Sequence, residues 1–242
     1  TLTFLEIVLG IDNIIFISIV TGKLPEEQRK KATQIGLFLA MFMRIALLFG
    51  ITLLIAMKSP LFSFDFGWFS AEITGQALIL LLGGLFLIYK STREISDKVD
   101  HKGEEEKTLK TAAVKSFGNV IVQILMIDLI FSVDSILTAV GMTNGVHGAL
   151  YIMVTAVVIS VGVMMLFAVP VGNFVNANPS IQILGLAFLI LIGFMLITES
   201  MHLSNAELAG QTVGVVPKGY LYFAIAFSLA VEFINMKIRK SK

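Results

Sequence analysis

Seven stretches of the sequence are almost wholly apolar: residues 2–20, 34–57, 75–90, 119–141, 149–170, 181–198 and 219–236. A bilayer core is crossed by roughly 20 helical residues, with a range of about 17 to 25. In lipid every backbone polar group must be satisfied internally, so runs of this length and greasiness are read as helices. The third run is short and is expected to extend backward over "AEITG". Between the runs, segments such as "TGKLPEEQRKK", "KSPLFSFDFGWFS" and "HLSNAELAGQTVGVVPKG" concentrate the Gly, Pro, Asn and Ser of turns. Composition agrees, with 56% hydrophobic and 14% charged residues, where a soluble domain carries about a quarter charged. The expected fold class is an all-α integral membrane protein with seven transmembrane helices.

Orientation follows from the basic residues. Lys23, Arg29, Lys30 and Lys31 follow the first span, and Arg93, Lys98, Lys102, Lys107, Lys110 and Lys115 follow the third. Lys237, Arg239, Lys240 and Lys242 follow the seventh, whereas the opposite side holds only Lys58 and Lys218. The N-terminus is therefore expected outside and the C-terminus in the cytoplasm. The chain opens at Thr1, already inside an apolar run, so its native N-terminus is expected to lie upstream.

Two of the apolar runs carry acids. "FLEIVLGIDNIIFISIV" (4–20) holds Glu6, Asp12 and Asn13, and "ILMIDLIFSVDSILTAV" (124–140) holds Asp128, Asp134 and Ser135. The two acids are six positions apart in both, and each second Asp is followed by a small polar residue. Further on, "GLFLIYKSTRE" from Gly84 resembles "GFMLITES" from Gly193, which aligns Lys90 with Glu199. Three spans separate the copies, an odd number, so the two must insert in opposite directions, as in transporters built from inverted repeats. The expected organisation is a first three-helix repeat (1–90), a charged cytoplasmic loop (91–118), a second, inverted three-helix repeat (119–200), and an outer loop, seventh helix and cytoplasmic tail (201–242).

Six helical residues rise about 9 Å and turn about 240°. With spans one and four side by side and antiparallel, Glu6 falls at the depth of Asp134 and Asp12 at that of Asp128. A break at Gly10 would draw these two layers toward one site.

A charge at the bilayer centre costs about 2.5 to 3.5 kcal/mol on insertion scales, so four unpaired carboxylates facing lipid would cost on the order of 10 kcal/mol. They must face an interior, pair with cations or be protonated. The bland alternative is a structural network in which Arg44 or Lys90 neutralises some of them. The other reading is a cation site, whose carboxylates, Asn13 amide and Ser135 hydroxyl are hard oxygen donors suited to Mg²⁺, Ca²⁺ or Mn²⁺. Arg44, Lys90, Glu199 and Glu232 are secondary candidates. Lys90 and Glu199, near span ends, also fit snorkelling to the interface.

Other chemistry is excluded or unsupported. The chain has no cysteine, which removes disulfides and thiolate sites. His101, His147 and His202 are not at metal-ligand spacing. No phosphate-binding glycine loop is present, and a net charge of +1 without a basic face argues against a nucleic-acid partner. No prosthetic group is expected.

"FLEIVLGIDNIIFISI", "DLIFSVDSILTAVG" and "YLYFAIAFSLAVEFINM" together resemble the TerC family of bacterial membrane proteins, named for tellurium resistance, and more widely the LysE-type exporters. The resemblance covers almost the whole chain. It implies seven spans, an inverted pair of three-helix repeats, the bacterial inner membrane, and export of divalent metal, chiefly manganese. Carried over by position, the metal residues are Glu6, Asp12, Asp128 and Asp134, with Asn13 and Ser135 beside them. Some relatives carry further acids in the fourth span, where this chain has Leu125 and Phe131. Nothing in the chain would reduce or bind tellurite.

The resulting expectation is a secondary transporter moving Mn²⁺ or another hard divalent cation by alternating access, with proton exchange plausible. A non-transporting scaffold for metal-handling or secretion partners would instead place function in the loop 91–118, where Glu104, Glu105 and Glu106 separately suggest metal sensing as an alternative to a solvated connector. An intramembrane aspartyl hydrolase needs a carboxylate dyad, but the "GxGD" pattern is absent. A LysE-like amino-acid exporter needs a cation for its substrate's carboxylate, with Arg44 the obvious candidate.

Overall fold

The computed structural model describes residues 2–50, 57–100, 116–143 and 145–240. Most of the expected loop, including Glu104, Glu105 and Glu106, lies outside the described residues, as does the side chain of Asp12. The elements in order are α1 (Leu2–Thr21), α2 (Glu26–Phe49), β1 (Pro60–Asp65), β2 (Phe69–Thr74), α3 (Gly75–Asp100), α4 (Phe117–Thr143), α5 (Ala149–Ala177), α6 (Pro179–Leu203), β3 (Glu207–Leu208), β4 (Gln211–Thr212) and α7 (Lys218–Lys240). The protein is mostly helical. Among the described residues six helices, α2 to α7, are long and apolar enough to cross a membrane.

The helices form two compact units. The first holds α1, α2, α4 and α5, and the second holds α3, α6, α7 and the strands.

In the first unit small residues let helices approach closely, the usual device where lipid offers no hydrophobic drive for association. A Cβ added at Gly10 would run into the Met164 side chain, and one at Gly172 would lie 3.2 Å from Ser18 Oγ. Residues 10 and 18 of α1 thus meet 164 and 172 of α5, so these helices run parallel. Gly36 of α2 meets Ile124 of α4 in the same manner, 2.9 Å from Cδ1. The expected break at Gly10 is not there: α1 is one continuous helix. The glycine gives room to Met164 rather than flexibility to the backbone.

In the second unit α3 and α6 cross at a pair of glycines. A Cβ on Gly84 would lie 2.5 Å from the Gly193 carbonyl oxygen and 2.8 Å from Ile197 Cγ1. A Cβ on Gly193 would lie 2.8 Å from both the Gly84 carbonyl oxygen and Ile88 Cγ1. The contact is reciprocal, with 84 meeting 197 and 193 meeting 88, as two antiparallel helices produce. Ser200 Oγ donates to the Ala77 carbonyl at 2.6 Å across the same interface.

Two segments expected to be plain turns fold as an antiparallel sheet in the order β1-β2-β3-β4. Phe62 pairs with Ile73, Ser63 with Glu72, Phe64 with Ala71 and Asp65 with Ser70. Apolar residues fall on one face and polar residues on the other, the period-two pattern of a half-buried strand. Gly67, at φ +79°, opens the two-residue tip Gly67–Trp68, where a residue with a Cβ would be strained. "AEITG" is therefore mostly strand β2, and the third span extends forward instead, through the charged "STREISDKVD" to Asp100. That last part is held as helix partly by pairs such as Lys90–Glu94, with Nζ 3.4 Å from Oε1.

Candidate ion site

Arg44 has no apolar role open to it. It lies well inside α2, is 3% exposed, and must find acceptors within the unit. It finds two carboxylates from two different helices. Its Nη1 donates to Glu6 Oε2 on α1 at 3.0 Å. Its Nε donates to Asp128 Oδ2 on α4 at 3.0 Å, and Nη2 closes a second bond to Asp128 Oδ1. The guanidinium thus grips Asp128 in a two-point fork, the geometry that makes arginine–carboxylate pairs strong and specific. Glu6 is 2% and Asp128 4% exposed, so all three charges are withdrawn from solvent.

Two further groups complete the surroundings of Asp128. Asn13 Nδ2 donates to Oδ1 at 3.3 Å, and Ser132 Oγ donates to Oδ2 at 3.2 Å. Asn13 Oδ1 is buried without a hydrogen-bond partner among the described residues, an unusual state for a buried amide. The site therefore contains two carboxylates against one guanidinium, with an uncommitted carbonyl oxygen next to them. With both acids ionised, it carries a formal surplus of one negative charge.

Of the two layers expected from the sequence, one includes the Asp12 side chain, which lies outside the described residues. Asn13 meets Asp128, as the pairing of residues 12 and 128 in depth requires. Glu6 shares Arg44 with Asp128. The long arginine side chain spans the two depths, which spacing along α1 and α4 does not reveal.

Asp134 is half-buried on α4, about 9 Å along the axis from Asp128, and its carbonyl accepts from Thr138 Oγ1 at 3.0 Å. Ser135 is buried and donates to the Ser132 carbonyl at 3.3 Å. Among the described residues no three of His, Asp and Glu converge as a ready metal cluster. Ser132 was not among the sequence candidates. Its signal was its position four residues after Asp128, on the same helical face.

The secondary candidates other than Arg44 belong to the other unit. Lys90 pairs with Glu94 on its own helix. Lys90 and Glu199 each lie six residues beyond the Gly84–Gly193 crossing on antiparallel helices, so they sit on opposite sides of it. Glu232 is half-exposed on α7. These three do not share one place within the unit.

At the start of α1, a cavity of about 510 Å³ is lined by Leu2, Thr3, Thr143, Tyr151 and Thr155, among others. Leu2 is one helical turn before Glu6, so this opening reaches within a turn of the site.

The description "Integral membrane protein TerC family" matches residues 1–242. The chain belongs to the TerC family. It is 52% identical over 242 residues to the UPF0053 inner membrane protein YgdQ of Escherichia coli K12, covering all of this chain and 92% of that one. It is 46% identical to a UPF0053 protein of Haemophilus influenzae, covering 99% of this chain and 92% of the relative. It also matches the UPF0053 protein YegH of Escherichia coli K12 at 43% identity, over 97% of this chain but 41% of that longer protein. None of these names states an activity. No solved structure matches the chain significantly. Membership of an integral membrane family, with inner-membrane relatives, agrees with the helices long enough to span.

Proposed function

We infer that this TerC-family protein is a secondary transporter that exports a hard divalent cation, Mn²⁺ foremost, from the cytoplasm by alternating access. The observation that carries this reading is the sharing of one buried guanidinium by Glu6 and Asp128, equivalent acids of the two repeats. Arg44 takes the place of the ion in its absence. A dication arriving between the two carboxylates repels the guanidinium and takes over its acceptors, with the Asn13 carbonyl oxygen as a further ligand. When the ion leaves, Arg44 returns, so the two carboxylates are not left buried and unpaired. Asp12 and Asp134, six residues further along their helices, extend the acidic path. Protons compete for the same carboxylates, which gives a route to exchange.

The reading includes seven spans, α1 being the first, and two inverted three-helix repeats with the N-terminus outside. The reciprocal glycine crossing of α3 and α6 supports the repeat, as do the parallel α1–α5 and α2–α4 contacts. An amino-acid exporter is disfavoured, because the Arg44 donors expected to hold a substrate carboxylate are already engaged by Glu6 and Asp128.

Metal-dependent protection tests the site. Mn²⁺ is expected to raise the unfolding temperature of purified protein in detergent. A ligand at about 100 times its dissociation constant contributes about 2.7 kcal/mol to the folded state. Glu6→Gln and Asp128→Asn should lose the protection while remaining helical. Equal protection of the variants, or none of the parent protein, would remove these acids from the ion site.

A further inference from the structure

The β1–β2 tip carries an aromatic cluster that no described part of its unit covers. Phe64 contacts Phe66 and Phe69, each with ring centroids 5.6 Å apart, and Trp68 lies 6.0 Å from Phe69. Phe66 is 68%, Trp68 66% and Phe62 54% exposed. Leu208, opposite Phe69 in the sheet, is also exposed. The opposite strand face holds Ser63, Asp65, Ser70 and Glu72. Such a hairpin has one face for water and one that water does not suit.

The hairpin's position says what covers that face. Thr74, the last residue of β2, directly precedes α3, and its Oγ1 accepts from Ala77 N at 3.1 Å, capping the helix start. On the other side Glu72 N donates to the Ser204 carbonyl at 2.7 Å, just past the end of α6. The sheet is thus joined without a linker to the ends of two apolar helices long enough to span a membrane. Leu78, Leu82 and Leu85, spaced along one face of α3, are exposed and continue the apolar surface away from the sheet. Trp68 at this level matches the belt of amphipathic aromatic residues at the membrane–water boundary, and the Phe side chains beside it supply the apolar area that interfacial segments bury.

We propose that the β1–β2 tip is an interfacial anchor: Phe62, Phe66 and Trp68 sit among the lipid headgroups and upper acyl chains where α3 and α6 leave the bilayer. The occupant of the exposed face is lipid. The anchor fixes the depth of α3 and α6 through the Thr74 cap and the Glu72–Ser204 bond. This is independent of the ion site.

Trp68 is the only tryptophan in the chain and reports directly. The full chain is reconstituted in vesicles containing lipids brominated high in the acyl chain. Trp68 emission is expected to be blue-shifted from that of tryptophan in water, to lose most of its intensity to the brominated lipid, and to resist aqueous iodide. Phe66→Asp, with helical content verified, should reverse this: red-shifted emission, several-fold weaker quenching by brominated lipid and strong quenching by iodide. Wild-type emission quenched by iodide and indifferent to brominated lipid would overturn the anchor. A blue shift that disappears on dilution of protein in lipid, with cross-linking at the tip, would also overturn it and assign the face to a second copy of the chain.

Discussion

Arg44→Met is expected to lower the stability of the purified protein in metal-free buffer near neutral pH by about 3 to 5 kcal/mol, the cost of removing one partner from a buried charge network. The size follows from what remains. Glu6 and Asp128 would keep their burial and lose the cation that bonds to both. Methionine has about the right bulk and no charge, so the loss is electrostatic more than steric. The same variant should recover more stability from Mn²⁺ than the parent does, because the metal no longer competes with a tethered guanidinium. Arg44→Lys should fall between, since a point charge cannot fork Asp128 and reach Glu6 at once. Thermal unfolding in chelator and in excess Mn²⁺ reads both effects. A variant as stable in chelator as the parent would mean that Arg44 does not balance these acids.

The second large effect belongs to the α3–α6 crossing. Gly193→Val is expected to cost about 3 kcal/mol, the upper end of overpacking penalties, because the new side chain meets the Gly84 backbone and not only Ile88. Trimming Ile88 to Ala should therefore rescue it poorly, the carbonyl being unable to withdraw. Gly162→Ala is the control: a Cβ there meets nothing within 4 Å, and alanine is favoured over glycine within a helix by roughly 0.5 to 1 kcal/mol. Thermal unfolding of the three proteins side by side gives the comparison. Equal losses at Gly193 and Gly162 would mean that the close approach does not matter.

Much of this is legible in the sequence where one physical rule dominates. Apolar length finds the helices, because the bilayer demands it. The paired acids and the Gly84–Gly193 correspondence point to two of the places where helices from the two halves meet. What escapes is whatever depends on rotation about a helix axis and on side-chain reach. Spacing along α1 and α4 gives depth, yet the direction in which Arg44 extends from α2 decides that Glu6 and Asp128 share it.

Ser132 escaped for a related reason: a serine in an apolar helix usually bonds its own backbone, as Ser18 does to the Ile14 carbonyl. Only the fold shows that it turns to Asp128. The β-hairpin was hidden by its punctuation. Gly67 and Pro60 read as loop, although Phe62-Ser63-Phe64-Asp65 already alternates as a strand should. The forward extension of α3 was hidden because charged residues end an apolar run without ending a helix. Lys90 and Glu94 stabilise the turn beyond it.

The claim that Glu6 and Asp128 form an exchangeable cation site is tested most directly by metal flux. Purified protein in sealed vesicles would be compared with Asp128→Asn of verified helical content, following Mn²⁺ uptake with an internal dye. Uptake by the parent protein and its loss in the variant is the predicted result. Equal uptake by both proteins, or none by a correctly folded parent, would contradict it.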